Sequence, residues 1–181
     1  MGQLFGSSRK NGVAERAERM AVAAITEKMI AFFEGDLHEI NHFLKVWAYA
    51  KTIGELESLN AESQYILEVS AIIHDIACPL CRKKYGNADG KHQEEESEPL
   101  VTEFLQGCGL TEKQTERIVY LVSHHHTYTN VNSREYQILL EADYLVNAEE
   151  LRYSSESIAN ARNHIFKTKS GKTLLKSMYR V

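Results

Sequence analysis

Apolar residues recur every three to four positions along most of this chain, and no stretch alternates apolar and polar as a strand would. Val13, Ala17, Met20, Ala24, Ile25, Met29 and Phe32 fall at helical spacing and predict a helix over Val13–Phe33. Gly35 ends that helix, and Asp36 is placed to cap the next. The second helix runs from Leu37 to about Leu59, with Ile40, Phe43, Val46, Trp47, Ala50 and Ile53 facing inward. A third, Ala61–Ala77, becomes steadily more apolar toward its end, as expected of a buried central helix. Pro79–Gly90 reads as a loop. In Lys91–Gln106 a helix is expected to begin near Pro99, a residue suited to a first turn. Gly107 and Gly109 break the chain, and Thr111 with Gln114 reads as a capping box opening a helix that delivers Ser123 and three histidines. Thr127–Ser133 reads as a polar loop. Arg134–Leu151 reads as the last core helix, with Ile138, Leu139, Ala142, Leu145 and Val146 apolar. Arg152–Val181 gives one or two amphipathic helices that finish the core or pack against a neighbouring copy in a homodimer.

This pattern predicts an all-α, single-domain helical bundle over residues 13–181, preceded by a flexible Gly/Ser/Lys-rich segment at 1–12. At 181 residues the chain is long enough to bury a real core. A formal net charge of -4 gives no electrostatic reason to expect nucleic acid or an anionic membrane as partner. No apolar run approaches the ~20 residues that span a bilayer, and Met1–Gly12 lacks the apolar core of a signal peptide. A cytoplasmic location is expected. Three cysteines do not make a disulfide framework. Cys78-Pro79-Leu80-Cys81 reads as a pair of loop thiols beyond a helix end. A zinc knuckle needs two further ligands, which Cys108 does not supply.

Candidate chemistry centres on Ala71-Ile72-Ile73-His74-Asp75-Ile76-Ala77, where an imidazole and a carboxylate stand side by side in apolar surroundings. An ionised Asp75 there is costly unless it is paired or bound to a metal. Asp143 sits among apolar residues with no basic residue one helical turn away, so it too calls for a ligand. A neutral imidazole and a carboxylate form the mixed donor set that Zn²⁺, Fe²⁺ or Mn²⁺ accepts. Further donors lie on both sides: His42 upstream, then His92, His124, His125 and His126 downstream. Consecutive histidines on a helix point around its axis, so at most two of the triplet reach one place. No glycine-rich phosphate loop of the Walker type is present.

The order His42, His74-Asp75, histidines, Asp143 resembles the HD-domain metal-dependent phosphohydrolases. His42-Phe43-Leu44-Lys45-Val46 with Ala50 is similar to the family's first motif, a His followed three residues on by a basic residue and then Val. His74-Asp75-Ile76-Ala77 and Glu141-Ala142-Asp143-Tyr144-Leu145 resemble the second and last, and the likeness spans roughly Asp36 to Glu150. The resemblance implies His42, His74, Asp75 and Asp143 as ligands of a divalent ion (Mn, Fe, Zn, Co, Ni or Mg), with Asp75 also in the catalytic set. It selects His42 over His38, one turn earlier. It assigns His124 and His125 to a second ion, or to general-acid and phosphate contacts, and favours Glu96 over His92 as a further second-site ligand. Lys45 and the Arg82-Lys83-Lys84 cluster are expected to neutralise substrate phosphate. The implied activity is hydrolysis of a small-molecule phosphoester, a nucleotide or a relative, by metal-activated water. A di-iron oxygenase and a metal-retaining regulatory module are the alternatives.

Overall fold

The computed structural model describes residues 21–181, so the expected N-terminal segment 1–12 and the start of the first expected helix lie outside the described residues. Helix α1 is helical over 21–32. It is followed by α2 (Leu37–Leu56), α3 (Ala61–Ile73), α4 (Cys78–Tyr85), α5 (Gly90–Phe104), α6 (Glu112–Val122), α7 (Arg134–Glu150), α8 (Ser155–His164) and α9 (Lys169–Tyr179). Among the described residues there is no strand, and no helix is long and apolar enough to cross a membrane.

Short polar side chains set the helix starts. Asp36 accepts from the His38 and Glu39 amides, Asn60 from Ser63, Asp89 from His92, and Ser133 from Tyr136. Thr111 and Gln114 form the expected reciprocal capping box. Helix α3 packs against α2, α6 and α7, and α2 packs against α7, so the central helix is enclosed on several sides. Leu67, Val69, Ala71, Ile72 and Ile73 of α3 are fully buried against Val46, Ala50, Ile118, Leu121, Leu139 and Leu145. Two buried carboxylates join elements across this core. Glu68 accepts from Trp47 Nε1, Lys51 Nζ and Gln64 Nε2. Glu141 accepts from Gln137 Nε2 and from the Lys167 and Thr168 amides.

Several expectations are corrected. Helix α3 stops at Ile73, and residues 74–77 form a turn, so His74 and Asp75 stand on a helix end. The stretch expected as a loop holds α4, which has Pro79 in its first turn and ends at Gly86 with φ 77°. Its sequence is polar because only Cys78 and Cys81 are buried. Helix α5 begins at Gly90, where Asp89 caps it, and Pro99 lies inside it. That proline is exposed, where water can donate to the carbonyl one turn earlier that its missing N–H leaves unpaired. In α1 the inner stripe is Val22, Ile25, Met29 and Phe33, while Ala24 and Phe32 are exposed. Phe32 packs edge-on against Phe33 and Phe104 at the surface. The C-terminal region forms two helices, and Ile158, Phe166 and Leu175 complete the core.

Candidate metal centre

The turn after α3 brings His74 and Asp75 to face His42 from α2 and Asp143 from α7. His42 Nε2 lies 3.2 Å from His74 Nε2, 3.3 Å from Asp75 Oδ2 and 3.4 Å from Asp143 Oδ1. His74 Nε2 is 3.4 Å from Asp75 Oδ2 and 3.5 Å from Asp143 Oδ1. Ligands bound at ~2.1 Å in tetrahedral or octahedral geometry stand about 3.0–3.4 Å apart, so these separations fit one shared ion.

Hydrogen bonds fix which nitrogen each ring presents. His74 Nδ1 donates to the Ala71 carbonyl at 2.9 Å, and His42 Nδ1 donates to Glu150 Oε2 at 2.7 Å. Both Nε2 atoms are then left with lone pairs, aimed at each other and at two carboxylates. Without a cation this gathering of acceptors is unfavourable, and protons substitute for it. Burial lowers the His74 pKa, but the Asp75 charge and the Asp143 contact outweigh it and raise the pKa well above 6.5. The His42 pKa is also raised, since the Asp143 contact and the charges of Asp75 and Asp143 overcome the cost of burial. Burial pushes the Asp143 carboxyl up, yet contacts with His42 and His74 hold it well below the usual carboxylate range. The donor types, their spacing and their tautomers fit a divalent ion.

Asp75 faces two ways. While Oδ2 meets His42 and His74, Oδ1 lies 3.4 Å from Nε2 of the fully buried His125. His125 Nδ1 donates to the Val122 carbonyl at 2.7 Å, so its Nε2 is again the free atom. Nε2 of His125 and of His126 are buried without a hydrogen-bond partner. Asp75, His125 and His126 can jointly hold an ion, as can His42, His74 and Asp75. Burial, reinforced by His125, pushes the His126 pKa down to about 4, which keeps that ring neutral and able to ligate.

The histidine triplet departs from the expected register because α6 ends at Val122 and residues 123–126 form a turn. His125 and His126 therefore share one side, with ring centroids 3.9 Å apart. His124 turns away, stacks on Tyr120 at 4.3 Å and bonds the Tyr120 carbonyl. Glu96 is held by Lys84 and Tyr85, each at 2.6 Å, so it does not join the cluster. The second donor set is thus His125 and His126 with Asp75, in place of His124, His125 and Glu96. His92 stacks on Tyr85, and His38 is exposed, as expected.

The cations expected at the phosphate are mostly engaged within the protein. Lys45 pairs with Glu150 at 3.0 Å and Glu149 at 3.3 Å, Arg82 pairs with Glu39, and Lys84 pairs with Glu96. Of the four, only Lys83 is exposed without a partner among the described residues. Sequence reasoning named His126 as a donor without selecting it, and missed Asn147 and Glu150. Asn147 donates to Asp143 Oδ1 at 2.8 Å. The last two were readable, since Asp143, Asn147 and Glu150 are spaced i, i+4, i+7 on one helix.

The HD domain family model matches residues 40–148, more than half of the 181. The chain belongs to the HD-domain family. A solved structure with a similar fold is the crystal structure of selenomethionine YpgQ from Bacillus subtilis. It is 17% identical with a TM-score of 0.62, and the match covers 91% of this chain and 89% of that one. At that identity the likeness speaks for the fold alone. No curated protein matches the chain. Family membership places this HD-domain chain in a superfamily of metal-dependent hydrolases, whose domains bind divalent metals through His and Asp clusters of the kind gathered here.

Proposed function

We propose that this HD-domain protein hydrolyses the phosphoester of a nucleotide or a related small molecule with two divalent ions. His42, His74, Asp75 and Asp143 would hold one ion, and Asp75, His125 and His126 the other. The observation that carries this reading is the two-sided carboxylate of Asp75, with one oxygen toward each pair of histidines. Two ions held by these residues would supply a water of lowered pKa and would stabilise charge on the phosphoryl oxygens.

The chain's own residues do the rest. The Nδ1–H bonds to Glu150 and to the Ala71 and Val122 carbonyls lock three imidazoles before substrate arrives, so no reorganisation is needed on binding. His42, His74 and His125 are buried, whereas Asp75 keeps 15% of its side-chain surface exposed and gives the cluster its outlet to solvent. Of the four expected cations, Lys83 alone has no partner among the described residues, since Arg82, Lys84 and Lys45 are paired.

Phosphate release from a panel of nucleotides, with Mn²⁺, Co²⁺ or Mg²⁺ added to metal-stripped protein, tests the proposal. Turnover restored by metal and lost in Asp75→Asn is expected. Background rates with every metal on every substrate would remove the phosphohydrolase reading. Oxygen uptake by the iron-loaded protein without phosphate release would move it to the oxygenase class.

A further inference from the structure

Glu149 and Glu150 occupy the last turn of α7, the end of a helix where its dipole disfavours negative charge. Two carboxylates there raise the free energy unless something offsets them. The offset comes from one turn of α2, where His42 and Lys45 stand three residues apart and both reach Glu150. Its Oε2 accepts from His42 Nδ1 at 2.7 Å, and its Oε1 accepts from Lys45 Nζ at 3.0 Å. The Glu150 side chain is only 12% exposed and that of His42 6%, so their half of this bridge between two helices is largely desolvated, while Lys45 stays 40% exposed.

We propose that Glu150 is a positioning residue for the metal centre, and that Lys45 acts through it by fixing Glu150 against His42. The bond at Nδ1 leaves the lone pair of His42 on Nε2, the atom that faces His74, Asp75 and Asp143. It also sets the ring plane and makes the imidazole a stronger donor. Helix α7 then contributes a whole face to the site. Asp143 is a ligand, Asn147 one turn on steadies its Oδ1, and Glu150 two turns on orients the ligand opposite. Glu150 lies two residues beyond the 40–148 segment matched by the family model. Lys45, which sequence reasoning gives to substrate, is on this account part of the scaffold.

The inference rests on His42, His74, Asp75 and Asp143 forming a metal site. Calorimetric and Co²⁺ spectroscopic titrations of stripped protein test it without any substrate. Glu150→Ala is expected to weaken binding at the His42 site by about 10- to 100-fold and to change the Co²⁺ spectrum. Binding at the His125 and His126 site stays intact and reports that the chain is folded. Glu150→Gln keeps an oxygen for the Nδ1–H and recovers part of the affinity. Lys45→Met weakens metal binding in the wild-type background and adds nothing to Glu150→Ala. An unchanged Co²⁺ affinity and spectrum in both Glu150 variants would overturn the assignment. A Lys45→Met variant with normal Co²⁺ affinity and spectrum would remove Lys45 from the positioning role. Wild-type protein that binds no ion would instead defeat the underlying metal-site reading.

Discussion

At the scale of single residues, the histidine turn shows how little space the second donor set leaves. A Cβ added to Gly90, the first residue of α5, would lie 2.6 Å from Cγ and 2.8 Å from Cβ of His126. These atoms sit near the backbone, so the ring cannot swing clear without moving its turn. Gly90→Ala is therefore expected to cost one metal equivalent while the His42 site still fills, as read by a metal titration. On a His126→Gly background, which removes both the ring and its Cβ, the same change should cost far less in melting temperature.

The titrating groups give a second expectation. In metal-free protein the raised pKa values of His42 and His74 favour folding fully below 6.5, and that contribution is lost as pH climbs through the raised values. The lowered Asp143 works at the other end, since its contribution is present above 3.8 and lost only as pH falls through its folded value. Metal must displace the imidazole protons, so its affinity rises over the window in which the metal-free protein weakens. Thermal melts should show the gap between metal-loaded and chelated protein widening as pH rises above 6.5 through the raised imidazole values. A gap constant with pH would mean that no imidazole proton is displaced.

At the scale of elements, the all-α pattern, the Thr111 capping box and the order of the ligand-bearing helices were legible in the sequence, since each rests on local periodicity or capping. The errors came where tertiary contacts override local signals. Pro79 and Pro99 are the chain's two prolines, and both were read too simply as boundaries, one opening a loop and one opening a helix. Both lie inside helices with an exposed face outward. The helix carrying His74 was extended four residues too far, because the apolar run continues through the turn that exposes the Asp75 edge. The register of His124–His126 was unreadable for a related reason, as turn geometry and not helical rotation decides which rings converge. Caps act locally and so predict locally. Thr111→Ala should lower stability by about 1 kcal/mol in a denaturant titration and leave the metal content unchanged.

At the scale of the whole molecule, the candidate ligands come from elements spread over more than half the chain, and one continuous core holds them at ligand spacing. That core is closed from the C-terminal side through Glu141. Its buried carboxylate takes the Lys167 and Thr168 amides and the Thr168 hydroxyl, tying the start of α9 to the helix that carries Asp143. Glu141→Ala would orphan those donors and is expected to destabilise the fold by roughly 3 kcal/mol or more, measured by chemical unfolding. The most direct test of the account is elemental analysis with a metal-to-chain ratio on reconstituted wild-type protein and on Asp75→Ala and His126→Ala. The account predicts two ions per wild-type chain, one in His126→Ala and none held tightly in Asp75→Ala. A wild-type chain that retains no divalent ion, or an Asp75→Ala variant that keeps its full complement, would contradict it.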